Sequence, residues 1–194
     1  MSTEVLKQTA VRNAISCIRS ERRFPRQVFV GDWTDYLFFY PEVLFEARFV
    51  EVKNLLLKEE NASVIAVVNL GNANNKTEEE PRAIFLDHDT TPKDYIAGLM
   101  GDGSPTSWMF LMDRYVCASD KGHWSIYCEK ENDVAVLAVG EAVSRYTYSQ
   151  LAKLLNAQSI RSVLMPGKGQ LFDFQKLVPE WRSALTAEYQ PSDR

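Results

Sequence analysis

The stretch 107–139, SWMFLMDRYVCASDKGHWSIYCEKENDVAVLAV, consists of three apolar runs separated by two polar turns. In the middle run Trp124, Ile126 and Cys128 alternate with Ser125, Tyr127 and Glu129. This alternation places the first three side chains on one face of a strand. Strand-length runs joined by short polar turns are typical of β-hairpins. The pattern therefore predicts a three-stranded antiparallel meander, with strands near 108–118, 124–129 and 134–139.

The rest of the chain completes an α+β prediction. Residues 64–68, VIAVV, are continuously apolar and rich in β-branched side chains, which predicts a central strand buried on both faces. We expect one domain over residues 1–194, with a mainly antiparallel sheet of about five or six strands packed by helices. Further strands are expected at 27–30, 83–86 and 159–165, with 32–40 either a strand or an irregular core segment. Helices are expected at 4–21, 41–60, 91–101, 148–155 and 172–187, the last bent at Pro179.

Composition and charge limit the classes of function. The chain has 194 residues and a formal net charge of -4, which disfavours binding of a nucleic-acid backbone and is compatible with a basic protein partner. Its longest apolar runs are shorter than a membrane span, and its N-terminus lacks the apolar core of a signal peptide. The three cysteines, Cys17, Cys117 and Cys128, have no paired spacing. We therefore expect a cytoplasmic protein with reduced thiols, no membrane partner and either a monomeric or a homo-oligomeric state.

A basic cluster follows the first predicted helix. It contains Arg19, Arg22, Arg23 and Arg26. Cations at a helix C-terminus interact favourably with the helix dipole, so the cluster is interpreted as a helix end rather than as a nucleic-acid site.

Two groups of residues could support a small hydrolase or transferase. Asp87-His88-Asp89 follows a predicted strand and could act in acid–base chemistry or hold a metal, although neighbouring strand residues point to opposite faces. Cys117 and His123 could form a thiolate–imidazole pair across a tight hairpin. The alternative for Cys117 is a small buried hydrophobe, and for 87–89 a polar loop with Asp89 or Thr91 capping the next helix. We expect no cofactor and no metal, and Gly167-Lys168-Gly169 lacks the spacing of a phosphate loop.

Polar and acidic residues near the two turns of the meander predict a recognition edge for another protein. These residues are Asp120, His123, Glu129, Glu131 and Asp133. A second acidic candidate is Glu78-Glu79-Glu80, in a polar loop. A different hypothesis is a ligand-binding sensor, in which the aromatic segment 33–40 forms the wall of a sizeable apolar cavity.

The segment 117–137, CASDKGHWSIYCEKENDVAVL, resembles a hairpin of small bacterial immunity proteins, including those of contact-dependent inhibition systems. The shared pattern is a small-residue turn, a tryptophan, an aliphatic–aromatic strand, an acidic turn and a β-branched strand. The resemblance implies a non-enzymatic protein that binds and neutralises a cognate toxin. Acidic groups of this chain would complement basic groups of the partner, so a basic toxin domain is the expected partner. It transfers no catalytic residue and no interface residue to this chain.

Overall fold

The computed structural model describes residues 2–71, 83–101, 103, 113–166 and 171–190. The predicted acidic segment Glu78–Glu80, the first part of the apolar run at 108–112 and the predicted turn Gly167–Gly169 lie outside these residues.

The described residues form one antiparallel sheet, which confirms the α+β prediction. Its six strands lie in the order β1-β6-β5-β4-β2-β3. The last three strands along the chain form the predicted meander, with Cys117 opposite Ile126 and Ile126 opposite Leu137. The strands are β1 (Asp35–Phe39), β2 (Val64–Asn69), β3 (Ala83–Asp87), β4 (Arg114–Ser119), β5 (Trp124–Glu129) and β6 (Val134–Val139).

Helices cover both faces of this sheet. Within the described residues they are α1 (Thr3–Ser16), α2 (Phe49–Glu60), α3 (Pro92–Met100), α4 (Arg145–Leu154), α5 (Ile160–Val163) and α6 (Pro179–Glu188). Short 3-10 helices span Pro41–Phe45, Lys130–Asn132 and Phe174–Lys176. None of the helices in the described part of the chain is both long and apolar enough to cross a membrane.

Burial on both sides explains the continuously apolar strands. On one face, strand residues such as Cys117 and Leu137 pack with α2, α3 and α4. On the other face, residues such as Val116 and Val136 pack with α1, α5, α6 and segment 17–30. Each fully buried aliphatic side chain contributes about 1.5–3 kcal/mol, so both faces contribute to stability. The prediction that strand 64–68 is buried on both faces is confirmed.

Helix α1 is shorter than predicted. It ends at Ser16 because the next residues pair with residues 28–30 instead: Val30 N donates to Cys17 O at 2.8 Å, and Arg19 N donates to Val28 O at 2.7 Å. The predicted strand at 27–30 is reduced to an isolated bridge between Ile18 and Phe29. The arginines at 19–26 therefore do not occupy the last turn of a helix, and their interpretation as a helix end is wrong.

Three other boundaries differ from the prediction. Residues 160–163 are helical rather than extended, because the Ser159 hydroxyl caps the backbone N–H of Ser162. The last helix begins at Pro179, since proline suits the first turn of a helix and holds Val178 extended before it. The predicted helix at 41–60 is divided into a 3-10 turn, Pro41–Phe45, and α2.

Candidate functional site

Two residues of the predicted recognition edge are buried and serve the fold. Asp120 Oδ1 accepts hydrogen bonds from Ser63 N at 2.8 Å and Val64 N at 3.0 Å, at the start of β2. Glu129 is 1% exposed, and its Oε1 accepts from Phe24 N at 3.2 Å and from Tyr127 Oη at 2.7 Å. Assigning Asp120 and Glu129 to the recognition edge is therefore wrong, because both residues are buried and both carboxylates accept hydrogen bonds from internal donors.

The exposed members of that edge lie at opposite ends of the sheet. His123 is in the β4–β5 turn, whereas Glu131 and Asp133 are in the β5–β6 turn. Strand β5 separates the two turns by about 17 Å, from its six residues. The structure thus divides the predicted edge into two surfaces.

The structure does not bring Cys117 and His123 together. Cys117 is fully buried and pairs with Ile126, three residues beyond His123, or about 10 Å along the strand. Burial raises the pKa of the Cys117 thiol, which keeps it protonated at neutral pH. His123 Nδ1 instead lies 3.7 Å from Glu60 Oε1.

The Asp87–Asp89 segment forms a turn that leads into α3. Asp87 Oδ1 accepts hydrogen bonds from Thr90 Oγ1 at 2.8 Å and from the backbone N–H groups of Asp89 and Thr90. The Thr90 hydroxyl contributes most to lowering the pKa of Asp87. His88 Nε2 lies 3.0 Å from Ala62 O, and Thr91 caps α3 as one of the two predicted caps. Asp87 is thus bonded within its own turn, whereas His88 contacts the segment before β2.

Glu60 at the end of α2 fixes the β4–β5 turn. Its side chain is 1% exposed, and Oε1 accepts from His123 N at 2.7 Å. Oε2 accepts from Trp124 Nε1 at 2.7 Å and from the Ser119 hydroxyl. Burial raises the pKa of Glu60, and these donors oppose the shift. The turn also needs Gly122, whose φ is +75° and where a Cβ would lie 3.1 Å from Asn13 Nδ2.

Glu59 fixes the neighbouring segment in the same way. Its Oε1 accepts from Ser144 N at 2.6 Å and its Oε2 from Thr147 Oγ1 at 2.5 Å, at the start of α4. Burial opposes ionisation of this carboxyl, but the Ser144 and Thr147 bonds prevail and lower its pKa. Two consecutive glutamates thus hold two loops beside one another.

Those two loops line an open cleft of about 1060 Å³ at this end of the sheet. Residues 121–123 and 140–142 form one side, and residues 30–36 and the ends of α1 and α6 form most of the rest. The remaining lining residues are Cys17, Gln27, Arg161 and Gln190. Among the described residues that line it, four are carboxylates and two are permanent cations. The carboxylates are Asp32, Asp35, Glu141 and Glu188, and the cations are Lys121 and Arg161. The cleft is therefore mildly acidic.

Two groups in the cleft have perturbed pKa values. Burial raises the pKa of Asp35, while the nearby guanidinium groups of Arg161 and Arg145 oppose the shift. Burial also raises the pKa of Cys17 to about 11, against a 3.0 Å hydrogen bond between its Sγ and Ser125 Oγ. At neutral pH the thiol is protonated, so Cys17 is a poor nucleophile.

The aromatic segment 33–40 contributes to the cleft in part. Trp33 and Tyr36 line it, but the lining is mainly polar rather than the apolar wall expected for a sensor. Sequence reasoning missed the cleft because its residues come from distant segments. One signal was available: Glu59-Glu60 at a helix C-terminus opposes the helix dipole, which points to specific partners for both carboxylates.

Comparisons with protein-family models, curated proteins and solved structures find no match to this chain. Within the described residues, no group of three or more His, Cys, Asp or Glu side chains is arranged to hold a metal ion.

Proposed function

We propose that this chain is a non-enzymatic protein-binding protein whose cleft receives a basic segment of a partner protein. In its specific form, the partner is a bacterial toxin domain, and the chain acts in the cytoplasm as an immunity protein that neutralises the toxin by steric occlusion. The observation that carries the proposal is the excess of carboxylates around the cleft. The hairpin resemblance at 117–137 supports the toxin form, because its first turn forms part of the cleft.

Charge complementarity favours a basic partner. Asp32 and Glu141 are exposed at the cleft, and among the described residues neither has a hydrogen-bond or ion-pair partner. Both carboxylates are therefore available to lysine or arginine side chains of a partner. Complementary charge of this kind increases the association rate and selects the correct partner.

Rigidity of the cleft also favours binding. The Glu60 bonds hold residues 119–124, and the Glu59 bonds hold Ser144 and Thr147. A surface that is already ordered loses less conformational entropy when a partner binds. Steric occlusion requires such a surface and no chemical step.

The test uses the toxin domain encoded by the neighbouring gene, with affinity measured by calorimetry. The double substitution Asp32→Lys/Glu141→Lys is expected to weaken binding about tenfold or more, and to abolish protection of cells that express the toxin. The control is Glu51→Lys, an exposed carboxylate on α2 that does not line the cleft. Failure of the wild-type chain to bind, or equal binding by both variants, contradicts the proposal.

A second candidate is a sensor for a small ligand, favoured by Trp33 and Tyr36 in the cleft. Titration with arginine amide, a small cation, would then change tryptophan fluorescence saturably, and Trp33→Ala would remove the change. The mainly polar and open lining fits a protein segment better than a small apolar ligand.

A further inference from the structure

The segment 19–26, RSERRFPR, carries four arginines and one glutamate in a chain whose formal net charge is -4. It is called the arginine loop here. The loop lies between α1 and the bridge at Phe29, and α1 has no basic residue in its last turn. The helix dipole therefore does not explain why the arginines are concentrated there.

Buried groups hold the backbone of the arginine loop in one shape. Arg114 Nη1 donates to Ser20 O at 3.2 Å, and Phe24 N donates to Glu129 Oε1 at 3.2 Å. Arg114 is 5% exposed and Glu129 is 1% exposed. Burying charged side chains is costly, and each of these two side chains makes one hydrogen bond to the loop backbone. The ring of Phe24 is itself buried, 4.9 Å from the Tyr127 ring.

The arginine side chains, in contrast, make few and long polar contacts. Arg22 Nη1 donates to Gln27 O at 3.4 Å, and Arg23 Nη1 approaches carboxylate oxygens only at 3.9 and 4.0 Å while half exposed. Within the described part of the chain, the guanidinium groups of Arg19 and Arg26 make no hydrogen bond or ion pair. A fixed backbone thus presents guanidinium groups with unused donors.

The anchored part of the arginine loop lies away from the β4–β5 turn, whereas the residues that flank the loop, Cys17 and Gln27, line the cleft. The loop's anchors are Arg114, the first residue of β4, and Glu129, the last residue of β5. The cleft uses the β4–β5 turn at the other end of the same strands. Strand β5 separates these anchors from the β4–β5 turn by about 17 Å.

We propose that the arginine loop is a second docking surface, which binds a carboxylate-rich segment of a protein. Guanidinium groups bind carboxylates through two parallel hydrogen bonds, and a preformed loop lowers the entropic cost. The loop has carboxylates among its arginines, since Glu21 lies within it and Asp113 and Glu131 lie beside Arg23. This mixed pattern fits discrete side chains of a protein better than a continuous phosphate backbone.

The test measures fluorescence anisotropy at low ionic strength with two labelled probes. One is a peptide of about twelve glutamates, and the other is a single-stranded oligothymidylate of equal length. Wild-type protein should bind the peptide saturably and more tightly than the oligonucleotide, and Arg19→Ala/Arg26→Ala should weaken peptide binding about tenfold. The matched control is Arg12→Ala, an exposed arginine on α1.

Each outcome decides the proposal. Absence of saturable peptide binding, tighter binding of the oligonucleotide, or equal losses in Arg12→Ala and the double variant would overturn it. The cleft variant Asp32→Lys/Glu141→Lys should bind the peptide at least as well as wild type, so this proposal and the proposed function fail separately. Circular dichroism verifies that the arginine variants are folded.

Discussion

Replacing Glu60 with alanine should destabilise the protein more than its position at a helix end would suggest. The substitution removes the acceptor of the Trp124 indole N–H, the His123 backbone N–H and the Ser119 hydroxyl. Trp124 is fully buried, so water cannot replace the lost acceptor of its indole N–H. The β4–β5 turn, and with it one side of the cleft, should loosen.

The size of the effect follows from the number of donors left without an acceptor. A buried unpaired donor costs about 1–3 kcal/mol, and a hydrogen bond to a charged group contributes about 1.5–3 kcal/mol. His123 is half exposed, so its N–H regains a water partner, and the Ser119 hydroxyl can rotate. Removing a buried carboxylate also relieves its desolvation, which is the main cause of its raised pKa. The expected net loss is about 2–4 kcal/mol.

Urea unfolding followed by circular dichroism measures this loss as a lower midpoint at constant slope. Glu60→Gln, which keeps the volume and one acceptor oxygen, should lose less than Glu60→Ala. Glu51→Ala, at an exposed position of the same helix, should change the free energy of unfolding by less than about 1 kcal/mol. A loss below about 0.5 kcal/mol in Glu60→Ala would refute the assignment of Glu60 as the residue that fixes the turn.

Three other predictions test separate parts of the structure. Glu129→Ala should lower the free energy of unfolding by about 3 kcal/mol because it leaves buried donors unpaired. Glu131 is exposed, so Glu131→Ala should be near neutral. Equal effects of the two substitutions in thermal melts would contradict the burial of Glu129. The pKa of Cys17 near 11, against an ordinary 9.0, implies about 100-fold less thiolate at pH 8. Labelling of native Cys17 by iodoacetamide should therefore be slow at pH 8 and should accelerate up to about pH 11. Fast labelling at pH 8 would contradict the raised pKa of this partly buried thiol. The pKa of Asp87 is lowered in the folded state, so its ionised form stabilises the fold above its ordinary pKa of 3.8, and this stability is lost as the pH falls through the folded value. The advantage of wild type over Asp87→Asn in the free energy of unfolding should therefore shrink below pH 3.8. A difference that stays constant in acid titrations of stability would contradict the lowered pKa.

The strands were predictable because their signal is local. The runs at 64–68 and 134–139 are continuously apolar, and a sheet covered by helices on both faces buries every residue of such a run. The meander followed from turn residues at 119–122 and 131–133. Helix boundaries were less predictable. Helix α1 ends at Ser16 because the Cys17 carbonyl accepts a hydrogen bond from Val30 N, thirteen residues further along the chain.

The candidate site was not predictable from local patterns. Asp120 and Glu129 have polar side chains in turn or strand-end positions, which suggests exposure, yet each accepts bonds from backbone N–H groups of another segment. The predicted antiparallel meander already implied that the turn at His123 and the turn at Glu131 lie at opposite ends of β5, because two successive turns flank the middle strand.

The most direct test of the proposed function is an NMR titration of the isotopically labelled chain with the toxin domain encoded beside it. The proposal predicts that backbone amide shifts change at 31–35, 121–123 and 140–142, the segments that line the cleft. Shift changes that leave these three segments untouched, or no changes at saturating toxin, would contradict it.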